Sequence, residues 1–371
     1  MSAMSQNVAV VLPCYRSRAQ VMDVITRIGP GVFLIVVVDD ACPEGTGDYV
    51  AASSNDRRVL VVRNKINLGV GGAVLNGYRI ALERGADIVV KIDSDGQMDP
   101  ALLPQIVNPI RERLADYTKG NRFFNVEDVR SMPPLRLFGN AALSFLTKLS
   151  SGYWTVFDPT NGYTAIHRSA LELLPLKKID HRFFFESDML FRLYLAGAVV
   201  VDVPMRAVYG EERSQLNVRK VILRFALKNI VNTGKRINIG SLELVAGIVL
   251  LLFGMTFGAK AWIAGAETGV TASAGTVMLA GLPVLVGVQL ILGFFAFDVA
   301  AVPRTPLQSL LGAAFPASLH DESHDSPDGC DTKPGLPVVV ADGAPSIQSR
   351  LQDQELEDTV GRLGSRSSSR R

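Results

Sequence analysis

Four continuous apolar runs mark the first hundred positions: Val8 to Leu12, Phe33 to Val38, Val59 to Val62 and Ile88 to Ile92. None alternates with polar residues, which is the pattern of strands covered on both faces in a parallel sheet. Between the third and fourth runs, Val74, Leu75, Tyr78 and Leu82 recur at helical spacing within Val70 to Arg84. Strands alternating with helices over residues 6 to 215 predict an α/β domain with a largely parallel sheet. No internal repeat is present.

The pattern changes late in the chain, where residues 244 to 259 and 268 to 297 contain no Asp, Glu, Lys or Arg. A helix needs about 20 apolar residues to cross a bilayer core of roughly 30 Å. Residues 244–266 meet this if Lys260 reaches toward the headgroups, and 274–297 hold a second span. The pattern predicts a two-helix transmembrane hairpin within residues 241–300. Lys235 and Arg236 precede the first span and Arg304 follows the second, whereas the connecting segment carries Glu267. This bias places both termini and the domain before the hairpin in the cytosol, in a multi-pass protein of the cytoplasmic membrane.

Two flanking segments have characters of their own. In residues 216–240, Lys220, Arg224 and Lys228 form one helical stripe and Val218, Val221, Ile222 and Phe225 another, reading as either a basic amphipathic helix on the membrane surface or a solvated helix face. Residues 301–371 turn to Pro, Ser, Asp and Gly, a composition that predicts a disordered cytosolic tail.

Composition narrows the function class. The 371 residues are 48% hydrophobic, which excludes a disordered or fibrous chain, and 38 basic against 36 acidic residues give no surplus for binding nucleic acid. Cys14, Cys42 and Cys330 are widely separated and lack zinc or disulfide spacing, so a reducing compartment fits. The short polar start leads straight into the first strand, without the apolar core of a signal peptide.

Ligands of parallel sheets gather at the carboxyl ends of strands, and three runs end in polar signals: Pro13-Cys14-Tyr15, Asp39-Asp40 and Asp93-Ser94-Asp95-Gly96-Gln97. In Asp93-Ser94-Asp95 two carboxylates at i and i+2 can share a divalent cation, Mg2+ or Mn2+, although the same spacing also occurs in plain surface turns. Asn64, Asn67, Gly69, Gly71 and Gly72 open a helix, forming either an anion or ribose site or a tight strand-to-helix turn. The glycine order and its place after the third strand speak against a nicotinamide fingerprint.

Taken together the chain resembles the family 2 glycosyltransferases of GT-A fold, and among them the polyprenyl-phosphate and dolichyl-phosphate hexosyltransferases. The resemblance covers residues 6 to 220 and rests on Val10 to Tyr15, Val37 to Asp40, Asn67 to Ala73, Asp93 to Gln97, Asp158 to Tyr163 and Tyr209 to Ser214. It implies a GT-A nucleotide-diphospho-sugar transferase fold, a Rossmann-like mixed sheet, as a catalytic domain over residues 1–215 ahead of the hairpin. Pro13, Tyr15, Asp39 and, with less support from the pattern, Asp40 would line the nucleotide pocket. Asp93, Asp95 and Gln97 would hold the metal on the donor diphosphate, with Ser94, Asn67 and Gly69 beside it. Arg122, Arg136 and Asn140 would surround the acceptor phosphate, and Arg206 and Ser214 would close over the phosphates next to the membrane. Asn161 and Gly162 belong to the substrate loop. Glu186 and Asp188 either orient hydroxyls or cap a helix. Each arginine taken singly also reads as a surface charge. Arg16-Ser17 stands where the family carries Asn-Glu and Gln215 where it carries Lys, so base selectivity stays open.

The expected reaction is inverting, metal-dependent transfer of one hexose from a UDP- or GDP-sugar to a polyprenyl phosphate on the cytosolic membrane face. One rival is a membrane glycosyltransferase that extends a lipid-linked glycan at a hydroxyl, with Glu186 or Asp188 as base. The other is a silent scaffold that binds a sugar nucleotide or lipid. The number of subunits, a homo-oligomer included, stays open.

Overall fold

The computed structural model describes residues 6–124, 134–205, 218–236, 239–314 and 338–341, with backbone alone at 134–140, 218–223, 239–240, 312–314 and 338–341. The chain begins β1 (Val8–Cys14), α1 (Val21–Arg27), β2 (Leu34–Asp39), α2 (Thr46–Ser53), β3 (Val59–Asn64), α3 (Val70–Glu83) and β4 (Ile88–Lys91). It continues with α4 (Leu103–Arg111), β5 (Tyr117–Asn121), α5 (Pro134–Ser151), β6 (Thr164–His167), α6 (Arg168–Leu173), α7 (Phe185–Ala196) and β7 (Val200–Pro204). Then come α8 (Val218–Lys235), α9 (Ile239–Thr268), α10 (Ala274–Ala300), α11 (Leu307–Ala314) and β8 (Val338–Ala341).

The sheet order is β7-β5-β6-β4-β1-β2-β3-β8. β1, β2, β3 and β4 are parallel neighbours, while β6 runs antiparallel to both β4 and β5, giving the mixed sheet. Successive residues of β1 feed opposite faces: Val8, Val10 and Leu12 enter one core and Ala9 and Val11 the other. That two-sided burial is why the run is continuously apolar, each fully buried Val or Leu contributing about 1.5–3 kcal/mol.

α9 and α10 form an antiparallel pair in which Gly247 faces Gly287 and Gly254 faces Ala280, so close that a Cβ on Gly247 would lie 2.8 Å from the Gly287 carbonyl oxygen. Residues 241–268 and 274–300 are long and apolar enough to cross a membrane, and most of their surface is not covered by protein. Trp262 and Leu285 are 77% and 69% exposed, which a buried core helix would not allow.

Two expectations are corrected. The tail is not featureless throughout: α11 returns to the α/β domain, where the Leu307 and Gln308 amides donate to buried Asp116 at 2.9 and 3.1 Å, and β8 adds a parallel strand to the open edge of β3. Averaged composition concealed two short apolar runs that dock on surfaces already built, an amide-hungry carboxylate and an unpaired strand edge. The basic stripe of α8 is also split, because Lys228 pairs with Asp180 of the α/β domain. The inner face of α8 carries buried Phe225, Asn229 and Asn232, so this helix is docked on protein along that side.

Candidate active site

The carboxyl end of β2 is tied to the start of α2 and to the loop between β3 and α3 by acids acting as amide acceptors. Asp39 accepts from Cys42 N at 2.7 Å and from Gly47 N, in the first turn of α2, at 2.6 Å. Asp40 accepts from Asn64 Nδ2 at 2.7 Å and from the Leu68 and Gly69 amides, both at 2.8 Å. Burial raises its carboxyl pKa, and these three donors oppose the rise. Asn67 Nδ2 donates to the Asp40 carbonyl at 3.2 Å. Gly69 has φ +85°, and a Cβ there would meet the His181 carbonyl at 2.6 Å. The Gly72 amide donates to that same carbonyl at 3.0 Å. The glycine-rich turn therefore packs on the 180–182 segment, with the Leu68, Gly69 and Gly72 amides spent within the protein: of the two readings, the tight turn is the one seen.

At the ends of β1 and β4, Ser94 Oγ lies 2.8 Å from the Pro13 carbonyl and 2.7 Å from Ser17 Oγ, tying the two loops together. Tyr15 is 47% exposed beside them. Asp95 Oδ1 accepts from Gln97 N at 3.0 Å across a turn completed by Gly96 at φ +78°.

Asp93 faces a cavity of about 420 Å³ whose lining includes the polar Lys91, Asp93, Thr160 and Glu186 and the apolar Val70, Leu143, Phe183 and Phe225. Lys91 is the hub of the polar group. Its buried Nζ lies 2.8 Å from Asp93 Oδ1, 3.2 Å from Glu186 Oε1 and 3.2 Å from the Gly162 carbonyl. Burial alone would lower its pKa, but the two carboxylates outweigh this and raise it. Gly162 is needed for this close approach, since a Cβ would lie 2.5 Å from Asp93 Oδ2 and collide with Lys91 Nζ.

The neighbouring loop rests on a second buried lysine, Lys119, whose ammonium donates to the Asn161 carbonyl and whose pKa burial pulls down to about 8. Arg122 grips fully buried Asp158 in a bidentate pair, Nε to Oδ2 at 2.7 Å and Nη2 to Oδ1 at 3.0 Å. Asp188 accepts from the Asp180 amide at 2.9 Å and from Asn232 Nδ2 at 3.2 Å, and burial raises its pKa. It joins α7 to α8 and is not among the cavity residues.

The structure thus brings Asp93 and Glu186 to one cavity, with the Gly162 carbonyl behind them on Lys91, and places Arg122 and Asp188 in ion-pair and docking roles. Arg136 and Asn140 lie on α5, where positions 136, 140 and 143 share one helical stripe. Arg206 and Ser214 lie outside the described residues. Lys91 and Lys119 were missed from the sequence, yet a signal exists: a lysine inside the apolar run Ile88 to Ile92 must find buried counter-charges.

Among the described residues no three His, Cys, Asp or Glu side chains gather as a metal cluster. Asp93, Asp95 and Gln97 still offer hard oxygen donors on one turn. They fit Mg2+ or Mn2+ provided that donor phosphate oxygens and water complete the shell, the usual arrangement for such ions at nucleotides.

Residues 9–174 match the model of Glycosyl transferase family 2. An undecaprenyl-phosphate mannosyltransferase of Micrococcus luteus is 34% identical over 179 residues, covering 48% of this chain and 72% of the relative. A polyprenol monophosphomannose synthase of Mycolicibacterium smegmatis is 30% identical over 233 residues, covering 60% and 86%. The chain belongs to glycosyl transferase family 2. A third relative of this family 2 glycosyltransferase is the UDP-N-acetylglucosamine–dolichyl-phosphate N-acetylglucosaminyltransferase of Methanococcus voltae, 28% identical over 216 residues and covering 54% and 86%. The family match spans the chain from β1 to β6; the mixed GT-A sheet is the fold expected from the motifs, and the two membrane-length helices are those expected from hydropathy.

Proposed function

We propose that this family 2 glycosyltransferase moves one hexose from a UDP- or GDP-sugar to a polyprenyl phosphate at the cytosolic face of the membrane. What supports this most is the mixed lining of the cavity, which combines the charged Lys91, Asp93 and Glu186 with the apolar Val70, Leu143, Phe183 and Phe225. It matches an acceptor that is a charged phosphate at one end and hydrocarbon beyond it. Phe225 comes from α8, the helix that leads into the two membrane-length helices. The relatives' names agree on lipid-phosphate acceptors and differ in the sugar.

In this reading the phosphate oxygen attacks the anomeric carbon, the bond to the nucleoside diphosphate breaks with inversion, and its electron pair leaves on the diphosphate. A lipid phosphate is already anionic, so its positioning matters more than its deprotonation. A divalent cation held by Asp93, Asp95 and Gln97 would supply charge neutralisation for the leaving diphosphate. Lys91 holds Asp93 and Glu186 in fixed orientation, and Arg122 with Asp158 braces the loop that carries Gly162.

The hydroxyl-acceptor alternative needs a carboxylate free to act as base. Glu186 is 3.2 Å from the Lys91 ammonium and Asp188 is taken by the Asp180 amide and Asn232, which favours the phosphate acceptor. Membranes containing the chain, supplied with undecaprenyl phosphate and a panel of radiolabelled UDP- and GDP-hexoses, should yield an acid-labile lipid monophosphosugar with one donor. Transfer only to a glycan hydroxyl would defeat the proposal.

A further inference from the structure

A second cluster of buried charge lies away from the cavity, where the catalytic domain meets the hairpin. Asp298, in the last turn of α10, is completely buried. One carboxylate oxygen accepts the Trp154 indole N–H at 2.7 Å and the other pairs with the Arg236 guanidinium. Arg236, just past the end of α8, also donates to the Leu149 carbonyl of α5 at 2.8 Å and stacks its guanidinium 4.4 Å from the centroid of the Tyr194 ring of α7. Trp154 packs edge-on against Phe295 of α10, with ring centroids 5.6 Å apart.

Placing an ion pair at the end of a membrane-length helix brings a desolvation cost that a purely apolar contact would avoid. Its geometry suggests what it secures. The two helices it clamps, α5 through Leu149 and α8 through Arg236, are the ones that supply cavity residues Leu143 and Phe225. The cavity's apolar lining and the second membrane-length helix therefore share one joint.

We propose that Trp154, Arg236 and Asp298 are positioning residues, forming a joint that holds the acceptor cavity at a set height and tilt against the bilayer, so that a long-chain lipid phosphate enters in register. The proposal rests on the lipid-phosphate reading above. A joint of this kind matters for an acceptor delivered by the bilayer and not for one delivered by solution, which separates positioning from mere support of the fold.

The test compares two acceptors with the full-length chain: undecaprenyl phosphate in phosphatidylglycerol-containing vesicles, and farnesyl phosphate in detergent. Asp298→Asn should lower kcat/KM for the vesicle-borne acceptor on the order of 10²-fold, the scale of an ångström-level misplacement, and change the detergent rate by less than about twofold. Equal losses on both acceptors, or no loss on either, would overturn the joint. Should that variant fail to insert, Trp154→Phe removes the indole N–H and its five-membered ring while leaving one aromatic ring to face Phe295, and a smaller loss confined to the vesicle arm is expected. Equal loss in this second variant, or none, would overturn the joint in the same way. Wild-type protein inert toward both phosphates would overturn the acceptor reading and the joint's role with it, an outcome distinct from equal losses in the variants.

Discussion

Two pairs of acids, at the ends of β2 and β4, behave differently. Asp39 and Asp40 are buried, and the donors on their carboxylates, backbone amides and one asparagine, come from the chain itself. Asp93 keeps 29% of its side chain exposed beside the cavity, and its partner there is an ammonium. Asp95 spends one oxygen on the Gln97 amide. The first pair thus holds loops in shape, whereas Asp93 of the second faces the cavity beside the Lys91 ammonium. A motif of adjacent acids does not by itself separate those roles; what distinguishes them is where the nearest donors lie.

The sharpest way to break this contrast is Asp95→Asn. Sugar transfer to added polyprenyl phosphate should fall by roughly 10³-fold while thermal stability stays near wild type, because the turn can still be capped by the amide oxygen. Chelation followed by Mn2+ or Mg2+ readdition should abolish and restore wild-type transfer, and unchanged activity in either experiment would remove the metal role. The complementary change, Asp40→Ala, should cost about 3 kcal/mol of stability in a denaturant titration, since it strands the Leu68 and Gly69 amides and Asn64 without their acceptor. A stable but inactive Asp40 variant would instead make it a ligand residue.

Gly162→Ala tests the cavity more gently. The added methyl group must push Lys91 and Asp93 aside, so kcat should drop about tenfold with a smaller effect on melting. The smallest effect concerns Asp202, whose pKa burial raises to about 6 from an ordinary 3.8. Between those values the unfolded chain has lost the proton that the folded chain still holds, so stability falls as pH rises across that window and the penalty is complete above it. Asp202→Asn should flatten the melting temperature between pH 4 and 6 and raise it at pH 7. A slope identical to wild type would show that Asp202 is not the group responsible.

Much of the architecture is legible in local pattern. β1, β2, β3 and β4 begin within a residue of the apolar runs that predict them, and α3 occupies Val70–Glu83 where the 3.6-residue period places a helix. The membrane-length pair is equally plain, because nothing but hydrocarbon-compatible side chains fills those stretches. β6 and β7 are short and carry weaker signals, and their antiparallel and parallel pairings depend on partners far away in sequence. For the site, spacing pointed to Asp93 and the family resemblance to Glu186, but both were silent about Lys91, which becomes informative only once strand β4 is known to be central and covered.

The amino-acid order alone determined the α/β character, the family motifs and the two long apolar helices, because each follows from side-chain period or residue identity over a short stretch. Only the folded chain decided which acids are spent on amides, which cation sits between Asp93 and Glu186, where α11 and β8 return to the domain, and that Trp154, Arg236 and Asp298 meet. Those outcomes depend on groups such as the Leu307 amide and the Asp116 carboxylate, 191 positions apart, being desolvated together, and the cost of burying a charge is set by its neighbours in space, which no local window contains.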